Sequence, residues 1–305
     1  MRDFKIMKRI FLFVLTNIAV LAVISIVMRL FGFDGYMYER GLNYTALAVF
    51  SIVWGSVGSF ISLAISKWMA KRSMKVQVIE KASNETEMWL IDTVRRQAES
   101  AGIGMPEVGI FESLSPNAFA TGMSRNNALV AVSTGLLDNM QRNEVEAVLG
   151  HEVSHVANGD MITMALLQGI LNAFVIFFSR IIGYAMSAAM RSDNRGGYGI
   201  GQFIGTMIAQ IILGFLAAMI INKFSRYREF HADKGGARLS STQNMIGALK
   251  ALQRSSGEKL EGEFAAFGIS AGSSKLRSLF ATHPPLEERI EALEINQYNA
   301  KVQTH

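Results

Sequence analysis

Residues His151-Glu152-Val153-Ser154-His155 read HExxH. What the chain is turns on whether this pentapeptide lies on a helix. On a helix, positions i and i+4 share one face with Cβ atoms roughly 5–6 Å apart, so both imidazoles reach one metal ion. Glu152 lies about 100° further round, placed to deprotonate a water at that ion without ligating the ion itself. With 5 His in 305 residues, chance gives such a pattern in about one chain in two hundred. The motif therefore needs its context.

Half of the residues are hydrophobic and mean hydropathy is +0.24, more apolar than a soluble chain of this length. The excess is gathered in four blocks. There is no Cys. This excludes disulfides and thiolate ligands, leaves His and carboxylate for any zinc, and fits a cytosol-facing domain. The net charge of +5 sits largely beside the apolar blocks. It reads as topology and lipid headgroup contact rather than nucleic-acid binding.

The first block, Ile10 to Met28, follows Arg2, Lys5, Lys8 and Arg9. It is long for a signal-peptide core and leads into Arg29 with no small-residue cleavage site, so an uncleaved anchor is expected. The second block, Tyr44 to Ser66, meets Lys67, Lys71, Arg72 and Lys75. Both are long enough for a bilayer core, which takes roughly 20 residues. The loop from Phe31 to Asn43 has Arg40 as its only basic residue. The N-terminus and the chain after Lys67 are therefore expected in the cytoplasm. The third and fourth blocks, Met161 to Met190 and about Ile200 to Ile221, flank a polar loop, Arg191 to Gly199, and precede Lys223, Arg226 and Arg228. At helical rise the third block is about 45 Å long, more than a ~30 Å core, so it tilts or protrudes. Its Gln168, Asn172 and Arg180 face other helices or water. Arg180 reads as a snorkelling residue; the other reading is a hairpin only partly embedded. The expected division is a two-helix anchor over 1–71, a cytoplasmic part over 72–160, a hydrophobic hairpin over 161–222 and a second cytoplasmic part over 223–305.

The polar parts predict an α+β domain, mostly helical with a small sheet. Ser83 to Gly102 reads as a helix, with Asn84 and Glu87 as a capping box and Gly102 as its stop. Glu107 to Phe111, Ala118 to Thr121 and Ala128 to Ser133 read as strands, with a turn over Ser124 to Asn127. A helix carrying Val145, Val148 and Leu149 runs into the HExxH motif and ends at Gly159. Ser240 to Ser256 reads as helix, and Gly257 to Ser278 is rich in Gly and Ser. After Thr282-His283-Pro284-Pro285 comes an amphipathic helix with Leu286, Ile290, Leu293 and Ile295.

A catalytic zinc takes three protein ligands and keeps one open position. No HxxGxxH extension follows His155, which argues against the metzincin pattern. The candidate third ligand is Glu229, in Arg226-Tyr227-Arg228-Glu229-Phe230-His231-Ala232-Asp233. On a helix Asp233 shares its face and is placed to accept a hydrogen bond from a ligand His. The spacing is equally compatible with a solvated, salt-bridged face formed by Arg226, Arg228, Glu229 and Asp233. His231 points elsewhere. If His151, His155 and Glu229 meet at one ion, the chain between them starts and finishes on one side of the membrane. The third and fourth blocks then both span, or neither does.

The chain resembles the HtpX family of bacterial inner-membrane zinc metalloproteases, relatives of the CAAX prenyl endoproteases. The matching pieces are LTNIAV from Leu15, SPNAFATG from Ser115, AVSTGLL from Ala131, GHEVSHVANGDM from Gly150, FSRYREFHAD from Phe224 and THPP from Thr282. The resemblance implies a gluzincin-like metalloprotease domain joined to transmembrane helices. It implies one Zn2+ per chain held at His151, His155 and Glu229, with Glu152 as general base. It further implies that membrane-protein or unfolded polypeptide substrates are cleaved in stress-linked quality control. Asn117, Ala118, Phe119 and Ala120 resemble the edge strand along which such proteases lay extended substrate. His283 resembles a transition-state hydrogen-bond donor near the site. The family's Ser-Pro-Asp-Glu helix start is replaced here by Gln141-Arg142-Asn143-Glu144, which weakens the cap signal. Two other readings are a non-catalytic scaffold with structural zinc and a prenyl-peptide-specific protease. An intact Glu152 argues against the first, and the small number of blocks against the second.

Overall fold

The computed structural model describes residues 44–189, 198–265 and 283–302. The first apolar block, the loop up to Asn43, residues 191–197, the stretch 266–278 and Thr282 lie outside them. In chain order the elements are α1 (Tyr44–Ser73), β1 (Gln77–Val78), α2 (Glu85–Ala101), β2 (Glu107–Phe111), β3 (Ala118–Ser124), β4 (Asn127–Ser133), α3 (Thr134–Asn139), α4 (Arg142–Asn158), α5 (Asp160–Ala189), α6 (Tyr198–Leu239), α7 (Thr242–Ala265) and α8 (Leu286–Val302). The described residues fall into two compact units, one from 44–62 and 165–221, the other from 63–164 and 222–302.

Among the described residues, three helices are long and apolar enough to cross a membrane: Tyr44–Ser73, Asp160–Ala189 and Gly201–Leu239. Within the first unit, α1 and α5 meet backbone to backbone. A Cβ added at Gly55 would stand 2.6 Å from the amide nitrogen of Ala173 and 2.9 Å from the carbonyl oxygen of Gly169. Small residues give helices this approach where no hydrophobic effect drives them together. Ala48, Phe177 and Ile181 form the buried centre. Phe203, Ile211, Ile212 and Phe215 of α6 are exposed, a surface that suits acyl chains. Arg180 lies over the ring of Phe50, 4.7 Å from its centroid, a cation–π contact.

In the second unit the sheet order is β1-β2-β4-β3. β2 runs parallel to β4, and β3 antiparallel to it. The strand predicted over Glu107 to Phe111 is found there. The one predicted over Ala118 to Thr121 continues to Ser124, because Gly122 at φ 141° and a register shift beside it carry the pairing onward. α2 begins at its predicted cap: Asn84 accepts a hydrogen bond from the Glu87 amide at 2.8 Å. The Glu87 carboxylate reaches back to the Ser83 amide at 2.7 Å, one residue earlier than in a capping box. β1 and α3 were not predicted. Two residues show no periodicity, and α3 is a six-residue helix, too short for a periodic pattern, in which Ser133 Oγ accepts from the Leu136 amide at 3.0 Å.

α4, the helix of the HExxH motif, packs against α2, β3 and α7. Its Val145, Val148, Leu149 and Val153 join Leu90 and Val94 of α2, Val130 and Val132 of β4, and Met245 and Leu249 of α7 in one core. A helix buried among so many neighbours cannot rotate without repacking them. The core therefore fixes where the two histidines point.

Candidate active site

The motif helix is capped despite its unusual start. Glu144 reaches back so that its carboxylate accepts from the Gln141 amide at 2.9 Å. At the other end Gly159, at φ 69°, donates to the carbonyls of His155 and Val156. Between them the His151 and His155 rings stand 4.7 Å apart and perpendicular, with their Nε2 atoms 3.1 Å apart.

α6 brings Glu229 to the same point. Its Oε2 is 3.4 Å from His151 Nε2 and its Oε1 is 3.5 Å from His155 Nε2. One ligand atom from each of the three residues lies within 4.8 Å of the others. Behind each imidazole stands a carboxylate: Asp233 Oδ1 is 2.9 Å from His151 Nδ1, and Asp160 Oδ2 is 2.7 Å from His155 Nδ1. With each Nδ1 facing an anion, each Nε2 is left for the centre. Arg289 of α8 holds Asp233 through two hydrogen bonds and lies 3.7 Å from Glu229 Oε2.

The electrostatics favour a cation. Burial works to depress both imidazolium pKa values. Even so, Asp233 and Glu229 hold His151 above its ordinary value, and Asp160 and Glu229 push His155 up to about 9. Burial opposes the Arg289 charge as well, yet Asp233 raises its pKa. Glu229 Oε2 is buried, with His283 Nδ1 at 3.0 Å and Arg289 Nη1 at 3.7 Å but no aligned hydrogen bond. A buried carboxylate oxygen without aligned donors is costly, and a bound cation would complete it. Two imidazole nitrogens and this oxygen form a donor set that fits a divalent metal held by nitrogen and oxygen.

The profile of Peptidase family M48 matches residues 84–296, which contain every residue of this cluster. The chain belongs to peptidase family M48. A protease HtpX from Thioalkalivibrio sulfidiphilus is 57% identical over 295 residues, 95% of this chain and 100% of that one. A protease HtpX from Pseudoalteromonas atlantica is 58% identical over 291 residues, 94% of this chain and 99% of that one. The crystal structure of S. mikatae Ste24p matches with a TM-score of 0.61 at 18% identity, over 88% of this chain and 64% of that longer one. At that identity the likeness is one of fold. The M48 chain is thus a membrane-associated metalloendopeptidase with a mostly helical fold and a small mixed sheet.

In this M48 peptidase the remaining candidates lie as follows. Glu152 is half-buried, and its charge acts on both His155 and Arg289. His283 is 64% exposed, with Nδ1 3.0 Å from Glu229 Oε2. Asn117 exchanges hydrogen bonds with Ser133 at the entry to β3. Ala118, Phe119 and Ala120 pair with Val132, Ala131 and Val130. β3 is an edge strand of the sheet, with β1 at the opposite edge, and Phe119 turns its ring toward Phe111 at 5.5 Å. His231 is exposed, with Nδ1 3.1 Å from the Tyr227 carbonyl oxygen, and takes no part. The solvated-face reading of Glu229 and Asp233 falls, since both are 1% exposed. Sequence reasoning missed Asp160 and Arg289. Asp160 follows a helix-ending glycine, so helical periodicity does not place it. Arg289 did leave a signal: it lies among Leu286, Ile290 and Leu293, a charge on the apolar side of an amphipathic helix.

Proposed function

We propose that this chain is a zinc endopeptidase of the bacterial inner membrane that hydrolyses misfolded or damaged membrane proteins on the cytoplasmic side in stress-linked quality control. The observation that carries the chemistry is the convergence of His151 Nε2, His155 Nε2 and a buried Glu229 carboxylate oxygen, within 4.8 Å of one another. His151, His155 and Glu229 would hold the ion. When bound, zinc supplies Lewis acidity to the scissile carbonyl and acidifies water. Glu152 takes the proton of the attacking water and passes it to the leaving amine. Asp233 and Asp160 keep the two imidazoles oriented, and Arg289 keeps Asp233 ionised and in place. His283, beside Glu229 yet exposed, is suited to donate a hydrogen bond to the substrate oxyanion. The outer edge of β3 at Asn117 to Ala120 offers backbone pairing to an extended polypeptide of any sequence.

Charge supports the cytoplasmic assignment: Lys67, Lys71, Arg72 and Lys75 follow one apolar stretch, and Lys223, Arg226 and Arg228 follow another. Connectivity supports action close to the bilayer. Asp160 is the first residue of α5, and Glu229 belongs to the same continuous helix as the apolar residues of α6. The division at residues 71, 160 and 222 is part of this proposal. The test is Glu152→Gln in purified protein. Zinc content should stay at the wild-type level while casein cleavage disappears; cleavage at the wild-type rate would remove Glu152 from the mechanism.

A further inference from the structure

α4 and α6 touch backbone to backbone beside the ligands. A Cβ added at Gly236 would stand 3.0 Å from the amide nitrogen of His151 and 3.1 Å from the carbonyl oxygen of Ala147. One added at Gly150 would lie 3.2 Å from Gly236 Cα. One added at Gly235 would stand 2.5 Å from Ser154 Cβ and overlap Ser154 Oγ. Ser154 cannot swing away freely, because its hydroxyl donates to the Gly150 carbonyl at 2.6 Å and the residue is buried. The crossing therefore involves the immediate chain neighbours of both ligand histidines, Gly150 before His151 and Ser154 before His155. On α6, Gly236 lies about two turns beyond Glu229 and on the same face.

We propose that Gly235 and Gly236 are positioning residues: their missing side chains set the distance of Glu229 from His151 and His155. Both helices are held in cores, so a methyl group at the crossing is accommodated by moving one helix against the other. Zinc–ligand bonds are sharply defined at about 2.0–2.2 Å. A displacement of a few tenths of an ångström that a helix pair survives is then enough to detach one ligand. Glycine is disfavoured within a helix relative to alanine, so two in succession at the contact are accounted for by the approach they permit.

This inference rests on the ligand assignment above, and the experiment separates the two. Full-length protein in detergent carries Glu152→Gln throughout to suppress self-cleavage. Zinc affinity is measured by chelator competition. The d–d absorption of Co2+ bound in place of zinc reports ligand number and geometry. Gly235→Ala should lower zinc affinity about tenfold or more and change the Co2+ spectrum while far-ultraviolet circular dichroism stays unchanged. Adding Ser154→Gly, which removes both clashing atoms, should restore affinity to within about threefold and return the spectrum. Adding Ser154→Ala, which keeps the Cβ, should not. A wild-type spectrum in Gly235→Ala, or no rescue by Ser154→Gly, overturns the inference. Parent protein that takes up no Co2+ at all overturns the ligand assignment instead. If Gly235→Ala does not fold, Gly236→Ala, whose contacts are the less severe ones with the His151 amide nitrogen, the Ala147 carbonyl oxygen and Met245 Sδ, is compared with the parent alone, and an unchanged spectrum there overturns the inference.

Discussion

Arg289 grips Asp233 with two parallel hydrogen bonds, Nε to Oδ2 at 2.8 Å and Nη2 to Oδ1 at 2.6 Å, and both side chains are buried. Asp233 in turn faces His151 Nδ1. The last helix of the chain thus reaches a metal-ligand candidate through one carboxylate. Removing one partner of a buried pair leaves the other uncompensated, at a cost of about 3–5 kcal/mol. Arg289→Met should lower the thermal midpoint in detergent by many degrees. Arg289→Lys keeps the charge but not the planar fork, and should recover only part of the loss. Equal midpoints for wild type and Arg289→Met would show that the pair is dispensable.

Asp160 stands behind His155 as Asp233 stands behind His151, and it is the pair with the aligned hydrogen bond. Replacing such an orienting carboxylate costs about 10–100-fold in metal affinity. Asp160→Asn keeps the size of the side chain and loses the charge. It should bind zinc weakly in chelator competition while its circular dichroism stays wild type. Unchanged affinity would reduce Asp160 to a helix-start residue.

Gly159 joins the motif helix to α5 at φ 69°, a conformation that costs a residue with a Cβ about 1–2 kcal/mol. Gly159→Ala should lose that much stability, and Gly159→Asn less, because asparagine tolerates the left-handed region better. Urea unfolding of the two variants side by side tests the order. Alanine at or above wild type would mean the turn has another solution.

Lys67 and Lys71 both pair with Glu107, the former at 2.8 Å, and Lys67 also donates to Asn127 Oδ1 at 2.7 Å. Partial burial opposes the Glu107 charge, but the two ammonium groups hold its pKa below the ordinary 4.5. A folded-state pKa depressed in this way adds stability that is fully present above about pH 4.5. It is lost as pH falls through the lower folded value. Solvent screening keeps the effect to about 1 kcal/mol or less. The stability gap between wild type and Glu107→Gln should therefore be constant from pH 7 to 5, close at lower pH, and shrink in high salt. A gap that widens on acidification would contradict the pairing.

HExxH, the lack of cysteine and the apolar stretches were readable residue by residue. The first is a local spacing on one helix, and the others are composition. That was enough for the chemistry, for the helix carrying the motif and for the bounds of β2. Glu229 was reachable as a candidate, but its spacing served a solvated face just as well. Burial decided between the two readings, and burial belongs to the packed core rather than to any window of sequence. Asp160 and Arg289 depended still more on tertiary structure. One lies across a helix break that resets the periodicity, and the other meets Asp233 from 56 positions away. Asp160 is only five positions from His155, but no periodic spacing registers a pair across that break; Arg289 leaves a charge on an apolar face without naming its partner, because α6 and α8 are brought together by long-range packing. Local spacing named the side chains able to hold a metal. Asp233 was named by its spacing from Glu229, but which imidazole it faces, and that Arg289 holds it there, depends on where separate helices cross in the core.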